Sequence, residues 1–172
     1  MRSINKRGFT LIETLIYIAV IGLISGSFVA FGSSVSSARN KTYAAQEVQS
    51  NVRFALEIIS NQIRSSSGIN VPASVWNANN GKLVLTNAEL NKNPAIIDLD
   101  EEGRLRLKLG SADPIFLTSP RVKVDRLYFY NFSNENEREN IGLEMSVVYR
   151  QEASSAEFGF RQDVKTAVSV RQ

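Results

Sequence analysis

Glu13 is a carboxylate set in a run otherwise suited to hydrocarbon. From Phe9 to Phe31 the chain reads FTLIETLIYIAVIGLISGSFVAF, and no charge follows Glu13 until Arg39. Placed in a bilayer on a helix, such a group costs about 2.5–3.5 kcal/mol on insertion scales, and more when isolated. An ionisable side chain kept at that cost usually has a partner, and the run itself offers none. The nearby cations are Arg2, Lys6 and Arg7, just upstream. A second source would be the new amine made by cutting that basic segment away. The remaining chemistry is sparse. The chain has no His and no Cys, which removes the commonest general base, zinc–thiolate sites, thiol nucleophiles and disulfides together. Carboxylates, Ser and Lys remain, but the sequence holds no nucleophile–base constellation, phosphate-binding loop or dinucleotide fingerprint. No catalytic residue and no cofactor is assigned.

The element that carries Glu13 is long enough to span. About 20 apolar residues of helix cross a hydrocarbon core of about 30 Å. The basic residues directly before the run place the N-terminus in the cytoplasm and the remainder outside the inner membrane, a single-pass arrangement. They also hold the whole basic excess: of 20 Lys+Arg, removing Arg2, Lys6 and Arg7 leaves 17, against 17 Asp+Glu. The net charge of +3 thus marks orientation, and no global basic field for nucleic acid is left. Two plainer readings compete. A secretory signal peptide also joins a basic start to an apolar core, and Ala30-Phe31-Gly32 loosely resembles its cleavage site. Its apolar region would be about 7–15 residues and would carry no glutamate near its start. A plain single-pass anchor accounts for the length but gives Glu13 no role.

The segment KRGFTLIETLIYIAVIGL closely resembles the leader junction of type IV prepilins and type II secretion pseudopilins. The match combines a basic leader, a Gly-Phe junction, a glutamate and a long apolar helix. What the resemblance implies is specific. A prepilin peptidase would cut between Gly8 and Phe9 on the cytoplasmic side and methylate the new Phe9 amine. Glu13 would then stand at the fifth mature position, where the family's glutamate neutralises the N-terminal amine of a neighbouring subunit during assembly. The implied partners are that peptidase, other pilins or pseudopilins, an inner-membrane assembly platform, and lipid before assembly.

Gly22, Gly26 and Ala30 recur every four residues and so share one helix face. Gly22 to Gly26 is a GxxxG pattern that permits close helix approach, although glycine is also simply common in membrane helices. The resemblance adds a further possibility, a helix that loosens around Gly22 in the filament. Many major pilins have a proline downstream where this chain has Ala30.

Tyr43, Val48, Val52, Ala55, Leu56, Ile59 and Ile63 recur mostly at steps of three or four, the pattern of one buried helical face. No proline lies between Phe31 and Gly68, so a single helix is expected from Phe9 to about Ser67, with Gly68 as its stop. The organisation expected is a leader at 1–8, a transmembrane and assembly segment at 9–37, an amphipathic continuation at 38–67, and a head at 68–172. The fold class expected is α+β, a long N-terminal helix packed against an antiparallel head of two small sheets.

From Val71 the pattern changes to period two. Asn80-Gly81 before Leu83 and Leu85 predicts a hairpin turn. Ile97 and Leu99 alternate with Asp98 and Asp100; Leu105, Leu107 and Leu109 alternate with Arg104, Arg106 and Lys108. Folding this about Glu101-Glu102-Gly103 sets Leu99 opposite Leu105 and Ile97 opposite Leu107. The same register sets Asp100 against Arg104 and Asp98 against Arg106. That pairing accounts for the basic ladder without a polyanion ligand. The phase change between Val122/Val124 and Leu127/Phe129 calls for a bulge near Asp125-Arg126. Ile141 to Tyr149 alternates strictly. A last strand spans Phe158 and Phe160 to Val170, with an interruption expected around Gln162-Asp163. The polar stretch from Ser133 to Asn140 is an expected exposed loop.

Tyr128, Phe129, Tyr130 and Phe132 are expected to divide between core and strand surface rather than to stack on a ligand. Asp98, Asp100, Glu101 and Glu102 lack the calcium-loop spacing and already have arginine partners, so no metal site is assigned. Asn40-Lys-Thr42 and Asn131-Phe-Ser133 fit glycosylation sequons, which are frequent by chance. The function expected is that of a structural and assembly subunit, a minor pilin or pseudopilin whose head resembles the larger J-class minor pseudopilins. The alternative is an adhesive or DNA-capturing tip pilin, and an enzyme is disfavoured.

Overall fold

The computed structural model describes residues 8–133, 139–150 and 159–170. Arg2, Lys6, Arg7, Phe158 and most of the Ser133–Asn140 loop lie outside them. Helix α1 runs unbroken from Leu11 to Ser65. The chain divides into two compact units, Met1–Asn40 and Lys41–Gln172.

In the second unit, the helical stripe read from spacing is buried except at Tyr43, which is exposed while its neighbour Ala44 is buried, and at Leu56, which is half-buried. Ala44, Val48, Val52, Ala55, Ile59 and Ile63 are all closed to solvent. The helix ends earlier than Gly68. Ser66 is buried, its Oγ donates to the Ile63 carbonyl at 2.7 Å, and the next N–H, of Ser67, goes to Thr86 O at 2.8 Å. The sheet therefore takes over the backbone bonding just before the expected stop, and Gly68 opens β1 (Gly68–Ile69).

Two antiparallel sheets follow. The first has the order β1, β2 (Leu83–Thr86), β3 (Ala95–Leu99), β4 (Leu105–Leu109), β5 (Ile115–Phe116); the second has β6 (Val122–Asn131), β7 (Asn140–Tyr149), β8 (Arg161–Ser169). Leu83, Leu85, Ile97, Leu105, Leu127, Phe129, Ile141, Leu143 and Met145 close one core with the helix stripe. The fold is α+β, as expected.

The β3–β4 hairpin has the register read from the sequence: Leu99 opposite Leu105, Ile97 opposite Leu107, Asp98 opposite Arg106. Gly103 adopts φ +75°, the left-handed conformation a three-residue hairpin loop needs. The bulge is also where the phase change put it, since pairing passes from Val124–Val147 to Arg126–Ser146 and skips Asp125.

Two expectations fail. The Asn80-Gly81 dipeptide is no hairpin turn. Val75 and Lys82 exchange backbone hydrogen bonds of 2.7 and 3.3 Å, and the segment between them lies along β6. Gly81 N–H donates to Leu127 O at 2.7 Å, and Leu127 N–H to Asn79 O at 2.8 Å. A Cβ on Gly81 would stand 2.7 Å from that Leu127 oxygen. The glycine is used for backbone approach between sheets, not for turning. Nor is β8 interrupted at Gln162-Asp163, because β7 supplies partners throughout, Val147 to Gln162 and Ser146 to Asp163. Gln162 keeps the inward phase of Val164 and Val168; the residue is half-exposed, but its Oε1 is buried with no hydrogen-bond partner among the described residues.

Candidate assembly site

Residues 8–10 are non-helical and exposed, and α1 starts at Leu11. Thr10 caps it. Its Oγ1 accepts the Glu13 N–H at 3.4 Å, and its carbonyl accepts the Thr14 N–H at 3.2 Å and the Thr14 hydroxyl at 3.3 Å. Thr10-Leu-Ile-Glu13 is a capping-box sequence, in which the hydroxyl serves an unpaired N–H of the first turn and the acid lies at its positive end. Glu13 is therefore set one turn inside a defined helix start. It is half-buried where its neighbours are open. Phe9, 74% exposed, folds its ring edge-on against Tyr17 at 6.1 Å and 72°, over the turn that carries Glu13.

Beyond this turn the helix presents apolar surface on every side. Leu15, Ile18, Leu23 and Val29 are all exposed, as are Leu11 and Ile12 within the turn itself. An 18-residue window has mean hydropathy 2.2 with none of it buried, so by length and composition this helix can cross a membrane. Gly22 and Gly26 face open space, with nothing within 4 Å of a Cβ position. Ala30 lies on their face by spacing.

The second unit has no comparable concentration of unpaired chemistry among its described residues. In the β3–β4 hairpin Arg104 Nε donates to Asp100 at 2.8 Å and Arg106 Nε to Asp98 at 2.6 Å. Burial pushes the Asp100 carboxyl up, but the Arg104 backbone and side chain and the Glu102 N–H outweigh it and hold the group below its ordinary range. The hydrogen bond to Asp98 raises Arg106. Among the described residues no three carboxylates converge as metal ligands.

Only Phe129 of the four aromatic residues enters the core. Tyr128, Tyr130 and Phe132 stack in a ladder on the outer face of the second sheet, at 6.0 and 5.9 Å. The division is one to three, because their even phase follows the outward residues beyond the bulge. Arg126 and Lys165 flank the ladder. Both pair with Glu144 at 3.6 Å, which also accepts the Tyr130 hydroxyl at 3.1 Å. Burial and that carboxylate raise the Tyr130 hydroxyl above its usual pKa.

One polar site had no sequence signal. Ser119 N–H donates to Asn51 Oδ1 and Ser119 Oγ to Glu47 Oε1, both at 2.7 Å. Arg121 donates to the Tyr43 hydroxyl. The helix residues Asn51 and Glu47 stand 68 and 72 positions from Ser119, beyond any local pattern. Thr10 was not singled out in the sequence either, but its three-residue step to Glu13 is a signal that could have found it.

Comparison with known proteins bears on the N-terminal region. A model of the prokaryotic N-terminal methylation motif matches residues 4–29, which contain Gly8, Phe9, Glu13, Gly22 and Gly26. Over 75 residues the chain is 29% identical to the pilin-like protein PilA3 of Thermus thermophilus. The match covers 44% of this chain but only 30% of that protein. No solved structure matches the chain. A prokaryotic N-terminal methylation motif, an apolar helix long enough to cross a membrane and an antiparallel α+β head together give this chain the features of a type IV pilin-like protein.

Proposed function

We propose that the chain is a minor filament subunit, made as a membrane-anchored precursor and drawn into the filament through its N-terminal helix. Residues 1–8 are the leader, 9–37 the membrane and assembly segment, 38–67 the continuation of the helix, and 68–172 the head. Prepilin peptidase cuts between Gly8 and Phe9 and methylates the Phe9 amine. Glu13 meets the amine of a neighbouring subunit. The head stays outside the inner membrane. One observation carries this reading: a half-buried carboxylate one turn inside an otherwise apolar, exposed helix, directly after a Gly-Phe junction.

The test is N-terminal sequencing of the mature protein, with Gly8→Ala beside it. The natural chain is expected to begin at Phe9 and the variant to keep its leader. A mature chain that begins elsewhere, or a variant cut as usual, returns the protein to a generic anchor. Gly22, Gly26 and Ala30 form the proposed packing face. Leu at both glycines should weaken filament incorporation while leaving insertion intact, and unchanged assembly removes that role.

A second reading, a tip subunit that adheres to a ligand or captures DNA, draws on the outward Tyr128–Tyr130–Phe132 ladder. It ranks lower because Arg126 and Lys165 are already paired with Glu144, which leaves little positive field for phosphates. A salt-dependent DNA mobility shift by the detergent-solubilised chain would favour it.

A further inference from the structure

Asn80-Gly81 is the only Asn-Gly pair in the chain, and its backbone is tied between the two sheets. We propose that it is a latent deamidation site, held shut by the folded head and released when the Val75–Lys82 segment leaves β6. The chemistry is intramolecular. The Gly81 nitrogen attacks the Asn80 side-chain amide carbon, losing its proton as ammonia departs, and a succinimide forms. Water then opens the ring at either carbonyl, leaving an aspartyl residue at that position or its isoaspartyl isomer. A following glycine favours the reaction because no side chain hinders the ring.

In the head the reaction is blocked at its nucleophile. The attacking nitrogen is buried, and its hydrogen is donated to Leu127 O at 2.7 Å. On the other side Leu127 N–H is held by Asn79 O at 2.8 Å, so Asn80 bridges in parallel to Leu127 with its own backbone fixed at both ends. The Phe129 ring closes over Gly81, where a Cβ would meet Cδ2 at 2.9 Å. The Asn80 residue itself is exposed, so water and base reach it freely. What is withheld is the nitrogen, and a reaction that needs the segment open runs at the unfolded rate multiplied by the open fraction.

Opening is then recorded irreversibly. An isoaspartyl link adds a backbone atom between the Asn79 carbonyl and the Gly81 N–H, and the two bonds to Leu127 no longer fit one register. The pair thus marks heads that have opened.

The test follows deamidation of the detergent-solubilised full chain by peptide mass spectrometry at mildly alkaline pH, with and without urea. In the native head Asn80 should react more than about tenfold slower than in urea. A second arm uses Asn77→Pro. Asn77 has φ +55° and donates its N–H to Phe129 O at 3.0 Å, so proline removes that bond and conflicts with the local backbone while leaving Asn80-Gly81 in place. Without urea this variant should move Asn80 toward the unfolded rate. Equal rates for the natural chain in both conditions would overturn the proposal. So would an Asn77→Pro variant that reacts as slowly as the natural native chain.

Discussion

Ser119 and Glu47 lie 72 positions apart, and the Ser119 hydroxyl donates to the Glu47 carboxylate at 2.7 Å. Ser119 sits in the connection from the first sheet to the second, so this bond and its neighbour from Ser119 N–H to Asn51 fix the crossing to the helix. Asn51 is itself held, its Nδ2 donating to the Glu47 carbonyl at 2.8 Å and to the carboxylate at 3.2 Å. The acceptor for Ser119 is therefore oriented before the connection reaches it.

Removing Asn51 leaves the Ser119 N–H without its acceptor in a half-buried site, which costs about 1–3 kcal/mol. Asn51→Ala should lower the urea midpoint of the second unit accordingly. Glu47→Ala and Asn51→Ala share a partner and should couple by about 0.5–3 kcal/mol in a double-mutant cycle. Strict additivity would mean that the two bonds act separately and that the connection is held elsewhere.

The β3–β4 hairpin predicts an acid limb. In the fold, burial raises the Asp100 pKa, but bonds from the Arg104 backbone and side chain and the Glu102 N–H prevail and hold it below its ordinary 3.8. A depressed carboxylate stabilises the fold above its unfolded pKa, and the contribution is lost as pH falls through the lower folded value. The stability gap between the natural chain and Asp100→Asn should therefore be widest near neutral pH and narrow once pH drops below about 3.8. Thermal melts across that range measure it. A gap that does not change with pH would assign the effect to shape rather than charge.

Gly81 and Gly68 should separate under the same substitution. A Cβ at Gly81 meets the Leu127 carbonyl at 2.7 Å and the Phe129 ring at 2.9 Å, one of them backbone and the other a fully buried ring. Gly81→Ala should cost about 1–3 kcal/mol, the range of overpacking. At Gly68 the nearest atom is Glu139 Oε2 at 3.4 Å, the end of a movable side chain, and Ala should fall within about 0.5 kcal/mol. Equal losses would show that the segment does not depend on its approach to β6.

These cases show what a sequence conveys. The hairpin register was readable because two patterns, Leu opposite Leu and Asp opposite Arg, close only in one alignment. The bulge at Asp125 was readable because one extra residue flips the phase of everything after it. Asn80-Gly81 misled because glycine serves both turns and close approaches, and only the position of β6 decides between them. The Ser119 contacts left no trace at all, since a polar residue on a helix looks the same whether it faces water or a distant loop. At the N-terminus the sequence carries the opposite kind of signal. An acid among apolar residues conflicts with its surroundings, and the conflict is visible without any tertiary contact.

That conflict yields a prediction whose two readouts move in opposite directions. If Glu13 is kept for a partner that arrives during assembly, it burdens the isolated subunit and serves the filament. Glu13→Val removes a group worth about 2.5–3.5 kcal/mol at the bilayer centre, less near the helix end where Glu13 lies. The variant should resist alkaline extraction from membranes at least as well as the natural chain. Incorporation into filaments, followed by shearing and immunoblot in cells that supply the other subunits, should fall sharply. Thr10→Ala provides the contrast. It weakens the helix start by about 0.5–2 kcal/mol without touching the carboxylate, so its incorporation should fall less than that of Glu13→Val. Loss of insertion in Glu13→Val would make the acid a folding element. Unchanged incorporation would leave the carboxylate without the subunit partner that its position implies.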